Sequence, residues 1–208
     1  MRDTTGALAA WLAQGGTRFG QISIRAHPDV WVLSHADDME GEGARYDSWR
    51  DARMLANFDD AGNYRPLKTA PNLRHGWELW LHEIEEMLRA LDYFYPGMLG
   101  VWLAEADGEL APVHLRETLG RQTGMYRVTQ NLTDGQAQAL ISRTCCASAC
   151  LKTILWRVDA GVPVASLPPE KFTPAREGSA MPLLCHEACN LLVAAARKAV
   201  KGEVPGDE

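Results

Sequence analysis

All five cysteines of this chain fall between Cys145 and Cys189, and nothing before Cys145 carries a thiol. They group as Cys145-Cys146-x3-Cys150 and Cys185-x3-Cys189. On a helix, residues four apart share a face, with Cβ atoms about 5–6 Å apart. The spacing therefore predicts two thiolates from one face of each of two helices. Opposed faces would close a four-thiolate cage, and the Pro-containing connection from Gly161 to Met181 must bring the second pair back to the first.

A cubane cluster wants each thiolate on a different iron, with the sulfurs standing apart. Zinc draws all four onto one ion at about 2.3 Å and often uses a tighter Cys-x2-Cys knuckle. The x3 spacing suits the more open [4Fe-4S] cluster, with zinc as the alternative. Buried free cysteine also behaves as a small hydrophobe, so a structure without metal stays open. Five thiols exceed four positions. Cys146, Cys150, Cys185 and Cys189 share the four-residue spacing, and Cys145 replaces Cys146 if it lies in the turn before the helix. His186 and Glu187 stand beside Cys185 as further polar groups or as a solvated helix start.

At 208 residues the chain can bury a core without disulfides. No apolar run approaches the roughly 18–20 residues of a membrane span, and no hydrophobic segment follows the N-terminus. A cytoplasmic setting with reduced thiols is expected, where clustered cysteines are metal ligands more often than disulfides. The net charge of −6 argues against a nucleic-acid partner. Oligomeric state leaves no trace in the sequence.

The pattern predicts an α+β chain, with a small N-terminal antiparallel sheet and helices, and a helical cluster-binding region at the C-terminal end. A helix over 4–14, capped by Thr4 or Thr5, precedes two alternating runs around Pro28-Asp29 that read as a hairpin. Helices are expected over 47–58, 76–91, 113–119, 133–143, 149–158 and 182–200. Strands are expected over 98–104 and 124–129. A division near residue 110 separates a 1–110 α+β domain from a 111–201 helical four-cysteine domain, with a disordered tail over 202–208.

Two basic clusters stand out: Arg65, Lys68 and Arg74 in one segment, and Arg121, Tyr126 and Arg127 in another. Arginine binds carboxylates with two parallel hydrogen bonds, so a polycarboxylate ligand such as a tetrapyrrole suits them. Pairing with the acidic excess accounts for them as well. The tryptophans at 77, 80, 102 and 156 are expected in the core. The six histidines, at 27, 35, 75, 82, 114 and 186, show no metal-insertion pair. No Ser-His-Asp set, phosphate-binding glycine loop or His-x3-His pair points to a hydrolase or a nucleotide enzyme. Whether the chain is an enzyme stays open.

Four segments carry a family resemblance: RPLKTAPNLRHGW over 65–77, GRQTGMYR over 120–127, CLKTILW over 150–156 and PLLCHEAC over 182–189. They resemble the extra domains of the bacterial CbiX-type chelatase family, in which a sirohydrochlorin cobaltochelatase-like module is joined to a stabilising domain and a four-iron cluster domain. The resemblance covers about residues 19–200. It implies a [4Fe-4S] cluster on Cys146 (or Cys145), Cys150, Cys185 and Cys189. It also implies a role in tetrapyrrole or cobalamin metallation, through electron transfer or redox sensing. No early strand leads into a His-Gly-Ser-like loop, so the chelatase activity is not implied. A separate chelatase chain or a tetrapyrrole is the expected partner. A zinc-stabilised interaction module without redox function is the other reading.

Overall fold

The structure is a computed structural model that describes residues 3–111, 113–123, 131–147, 150–157, 168, 171–173 and 179–202. The chain falls into two compact units, Met1–Glu109 with Ala175–Leu183, and Leu110–Pro174 with Leu184–Glu208. The division expected near residue 110 overlooks the return of 175–183 to the first unit, where that segment supplies a sheet strand.

The first unit opens with α1 (Thr4–Ala13), capped by the Asp3 carboxylate, which accepts the Gly6 N–H at 2.8 Å. Strands β1 (Arg18–Phe19), β2 (Ile22–His27) and β3 (Val30–His35) follow. The β2–β3 hairpin turns at Pro28-Asp29, with Ile22 opposite His35 and His27 opposite Val30. Gly20 closes the β1–β2 turn at φ +59°, and a Cβ there would stand 2.7 Å from the Tyr95 ring. Both the left-handed backbone and the close ring require glycine.

Next come β4 (Ala44–Tyr46), a 3₁₀ turn over Trp49–Asp51, α2 (Ala52–Asn57), β5 (Trp77–Leu81), α3 (Ile84–Phe94) and α4 (Met98–Ala106). The sheet order is β4-β5-β3-β2-β1-β7, with β7 (Ala180–Met181) on the β1 edge. The interior pairings are antiparallel, and the two edge pairings, β4–β5 and β1–β7, are parallel. Helix α1 packs on α3 and α4, and α2 packs on α3. Trp77 stacks on Phe94 with ring centroids 5.1 Å apart, joining sheet to helix layer.

Two expected elements are corrected here. The helix expected over 76–91 is strand β5, a break at His82-Glu83, then α3. Alternate residues of β5 are buried on both of its faces, so its apolar run imitates helical spacing. The strand expected over 98–104 is helix α4, entered through Gly97 at φ +70°. A short continuous apolar run carries no period that separates the two.

The second unit holds α5 (Leu115–Thr123), α6 (Asp134–Leu140), a π-helical turn over Ile141–Ala147, β6 (Thr153–Ile154), β8 (Leu184–Cys185) and α7 (Asn190–Val200). Thr133 starts α6 with a capping box: its hydroxyl accepts the Gln136 N–H, while the Gln136 side chain accepts the Thr133 N–H. The core gathers Leu115, Leu119, Ile141, Ile154, Trp156 and Leu192. The strand expected over 124–129 and the tail over 203–208 lie outside the described residues. Among the described residues no helix is long and apolar enough to cross a membrane.

Candidate metal centre

Cys145 and Cys146 lie in the π-helical turn that continues α6. Such a turn closes i→i+5 hydrogen bonds, so a four-residue spacing no longer marks one face. The described helical residues end at Ala147, and Cys150 stands in the irregular approach to β6. Cys185 is the last residue of β8, and Cys189 caps α7 with an extended backbone. The helices expected over 149–158 and from 182 are thus corrected. Extended pairs at 153–154 and 184–185 replace them, and α7 begins only at Asn190.

A parallel ladder brings the two cysteine segments together. Thr153 pairs with Leu184 and Ile154 with Cys185, and the Leu155 N–H donates to the Cys185 carbonyl at 2.9 Å. All five cysteines are free thiols and half-buried. Cys145, Cys146, Cys185 and Cys189 pack against the core of the unit. The Lys171 ammonium donates to the Cys150 carbonyl.

The thiols act on one another. Burial pushes the Cys145 thiol up, and Cys185, Cys189, Cys150 and Cys146 push it further, in that order. Burial also raises Cys185, with Cys189 and Cys150 adding to it. The Trp156 indole N–H and the Lys152 ammonium pull Cys185 back towards thiolate. That indole N–H is buried and makes no regular hydrogen bond of its own. The Cys185 thiol instead donates to the Glu187 carbonyl at 3.2 Å.

Several thiols facing one another across a half-dry site cannot all ionise without a cation among them. A metal core supplies that charge, and its binding would release the thiol protons. The donor set, the unpartnered indole N–H beside a sulfur and the nearby Lys152 fit a thiolate-ligated cluster.

Comparison with known proteins divides the chain near residue 106. Residues 5–106 match the model of the DR2241 stabilising domain. Residues 107–198 match the model of a 4Fe-4S iron-sulfur cluster binding domain. Together the two matches span residues 5–198. A solved structure, DR2241 from Deinococcus radiodurans, superposes with a TM-score of 0.75 at 26% identity over 96% of this chain. It is described as a multi-domain protein with structural similarity to chelatases and two additional novel domains. The chain spans 41% of that protein's length. No curated protein matches.

The basic residues are divided between the domains. In the stabilising domain Arg65 is 1% exposed. Its guanidinium donates to Asn72 Oδ1 at 2.9 Å and to the carbonyls of Ala56, Lys68 and Ala70 at 3.0, 3.2 and 3.3 Å. Lys68 donates to the carbonyls of Ala56 and Arg65 and to Asn57 Oδ1. Both therefore tie residues 56–72 together. Arg74 lies 3.2 Å from the Met54 sulfur. Arg121 belongs to the iron–sulfur domain, half-exposed, and reaches Glu187 at 3.4 Å. Tyr126 and Arg127 lie outside the described residues. Trp77 and Trp156 are core residues.

Two histidines distant in sequence also meet. His35 and His75, forty residues apart, meet in the stabilising domain with ring centroids 3.9 Å apart. Neither falls in a spacing motif, so only the β3–β5 pairing could have signalled it.

Proposed function

We propose that the iron–sulfur domain holds a [4Fe-4S] cluster on Cys145, Cys150, Cys185 and Cys189, as the accessory of a chelatase-like module in tetrapyrrole metallation of the cobalamin type. The observation that carries the reading is the convergence on Cys145. Its thiol feels Cys185, Cys189 and Cys150 more strongly than its chain neighbour Cys146. This reading takes Cys145, which spacing leaves as the alternative to Cys146, as the fourth ligand.

When bound, the cluster supplies one-electron redox chemistry. The chain's own groups hold it and set its surroundings. The β6–β8 ladder fixes Cys185, the Trp156 N–H faces its sulfur, and Lys152 places positive charge nearby. Hydrogen bonds to cluster sulfurs are among the factors that set such potentials. The link to tetrapyrroles rests on the relative from Deinococcus radiodurans, described as similar to chelatases. The module that would do the chelation is expected outside these residues, in a compartment that keeps thiols reduced.

Anaerobic purification with iron and sulfide analysis tests the cluster. About four of each per chain, a broad visible absorption and a paramagnetic signal on reduction are expected. A colourless, iron-free protein holding one tightly bound zinc would reject it. A shift of the cluster potential on adding a carboxylate-rich tetrapyrrole, lost in Arg121→Ala, tests the accessory role.

A further inference from the structure

The stabilising domain carries a second constellation of metal-binding groups. It lies at the end of β3 and the start of β5. One ring nitrogen each of His35 and His75 and a carboxylate oxygen of Asp37 lie within 4.8 Å of one another. They come from two segments of chain. His35 closes β3, Asp37 follows in the turn, and His75 precedes β5.

Each imidazole is fixed from behind. His35 is 1% exposed, and the Gln21 side-chain amide lies 3.0 Å from its Nε2. Its Nδ1 accepts the Asp37 backbone N–H at 3.2 Å, a bond that an ion on Nδ1 would displace, and Asp37 Oδ2 is 3.9 Å away. Asp60 holds His75 twice: Oδ1 accepts the backbone N–H at 2.7 Å and Oδ2 pairs with Nδ1 at 2.8 Å. Asp38 Oδ2 accepts the Gly76 N–H at 2.8 Å and so sets the next peptide. A carboxylate behind a ligating imidazole is the usual way proteins fix its tautomer and raise its basicity.

We propose that His35, His75 and Asp37 form a site for a divalent first-row transition ion of the zinc, cobalt or nickel type, with Asp60 orienting His75. Two imidazoles and one carboxylate match these ions and not magnesium or calcium, which prefer oxygen ligands alone. Three protein ligands leave a further position open to water or to an exchanging ligand, as in sites that do more than brace a fold. His75 and Asp37 face solvent, being 49% and 75% exposed, so an ion can enter and leave. The site stands on these residues alone and does not depend on the cluster reading.

Cobalt(II) is the probe, added to the anaerobically prepared full chain with its cysteine domain occupied. Nitrogen and oxygen ligands give weak visible d–d bands, whereas thiolates add intense near-ultraviolet charge transfer. One equivalent with d–d bands alone is expected. Affinity should fall about 10–100-fold in Asp60→Asn, the usual loss when an orienting partner is removed, and binding should vanish in His75→Ala. Both positions are exposed, so these variants keep the fold, which circular dichroism checks. No binding, thiolate charge transfer, or bands indifferent to His75→Ala would each overturn the proposal.

Discussion

Ile154 stands opposite Cys185 in the parallel ladder of β6 and β8, and the next residue's N–H bonds the Cys185 carbonyl. The strand that follows Cys150 therefore fixes where the Cys185 thiol sits. One short pairing couples the two halves of the cysteine set, so where the thiols sit depends on β-pairing more than on helix faces.

The two adjacent cysteines should separate in their effects. On the proposed ligand set Cys145 holds iron, so Cys145→Ser should remove most of it. Cys146→Ser should keep about four irons per chain, the full complement of the cluster. Iron and sulfide content of the two variants, prepared side by side under anaerobic conditions, decides between them. Equal loss in both, or loss only in Cys146→Ser, would return the fourth position to Cys146.

Trp156→Phe removes the indole N–H beside Cys185 while keeping an aromatic ring in the core. With one donor fewer near a cluster sulfur, the reduction potential should move negative. Iron content should stay unchanged. Electrochemistry on the two proteins reads this, and an unmoved potential would mean the N–H does not engage the sulfur. Because that N–H has no regular partner, the variant should cost little stability through hydrogen bonding.

Much of the stabilising domain could be read from sequence because its strands alternate. Ile22, Ile24 and Leu33 are buried, and Arg25 and Ala26 less so, and the Pro-Asp turn lies between the two strands. Trp77–Leu81 was illegible for the opposite reason: a strand covered on both faces shows no polar–apolar alternation, so Trp77, Trp80, Leu81 and Ile84 fell on helical spacing. In the iron–sulfur domain the residue types announced the chemistry, since the five thiols confined to residues 145–189 supply the donor set of a thiolate-ligated metal. Their local geometry was hidden. A π-helical turn and a two-residue ladder leave no periodic trace, and the choice between Cys145 and Cys146 turns on a single residue of winding. The His35–His75 meeting was invisible because tertiary pairing alone creates it.

Glu78 tests how much the sheet depends on a buried charge. It is 5% exposed, and its Oε1 accepts from Arg25 Nη2 at 2.8 Å and from the Gly41 N–H at 2.9 Å. Glu78→Ala leaves both donors without their acceptor. Breaking a fully buried pair costs about 3–5 kcal/mol, and the Arg25 side chain is 23% exposed. Partial rehydration should bring the loss to about 2–3 kcal/mol. The exposed Arg45–Asp47 pair is the control, and Asp47→Ala should cost less than about 0.5 kcal/mol. Urea unfolding of both variants measures the contrast, and equal effects would refute the role given to Glu78.

Tyr95 gives the stabilising domain a defined alkaline limit. Its hydroxyl is buried and accepts the Gln21 N–H at 2.8 Å, and it packs edge-on to Phe19 with centroids 5.3 Å apart. Burial pushes its pKa up to about 12, from 10.0 in the open chain, with the Gln21 hydrogen bond and Arg65 opposing. Between those values the unfolded chain has lost the proton and the folded one has kept it. The stability this group contributes is complete below pH 10 and is lost as the pH climbs to about 12. A rise of that size corresponds to about 3 kcal/mol across the window. Tyr95→Phe removes the titrating group and leaves the Gln21 N–H without its acceptor. The variant should be less stable by about 1–2 kcal/mol at neutral pH. It should then lose less stability than the native chain between pH 10 and 12, so the two curves converge or cross. Other alkaline titrations are common to both proteins and cancel in the difference. Urea midpoints measured across that range decide it, and parallel curves would mean that Tyr95 ionises at its ordinary pKa.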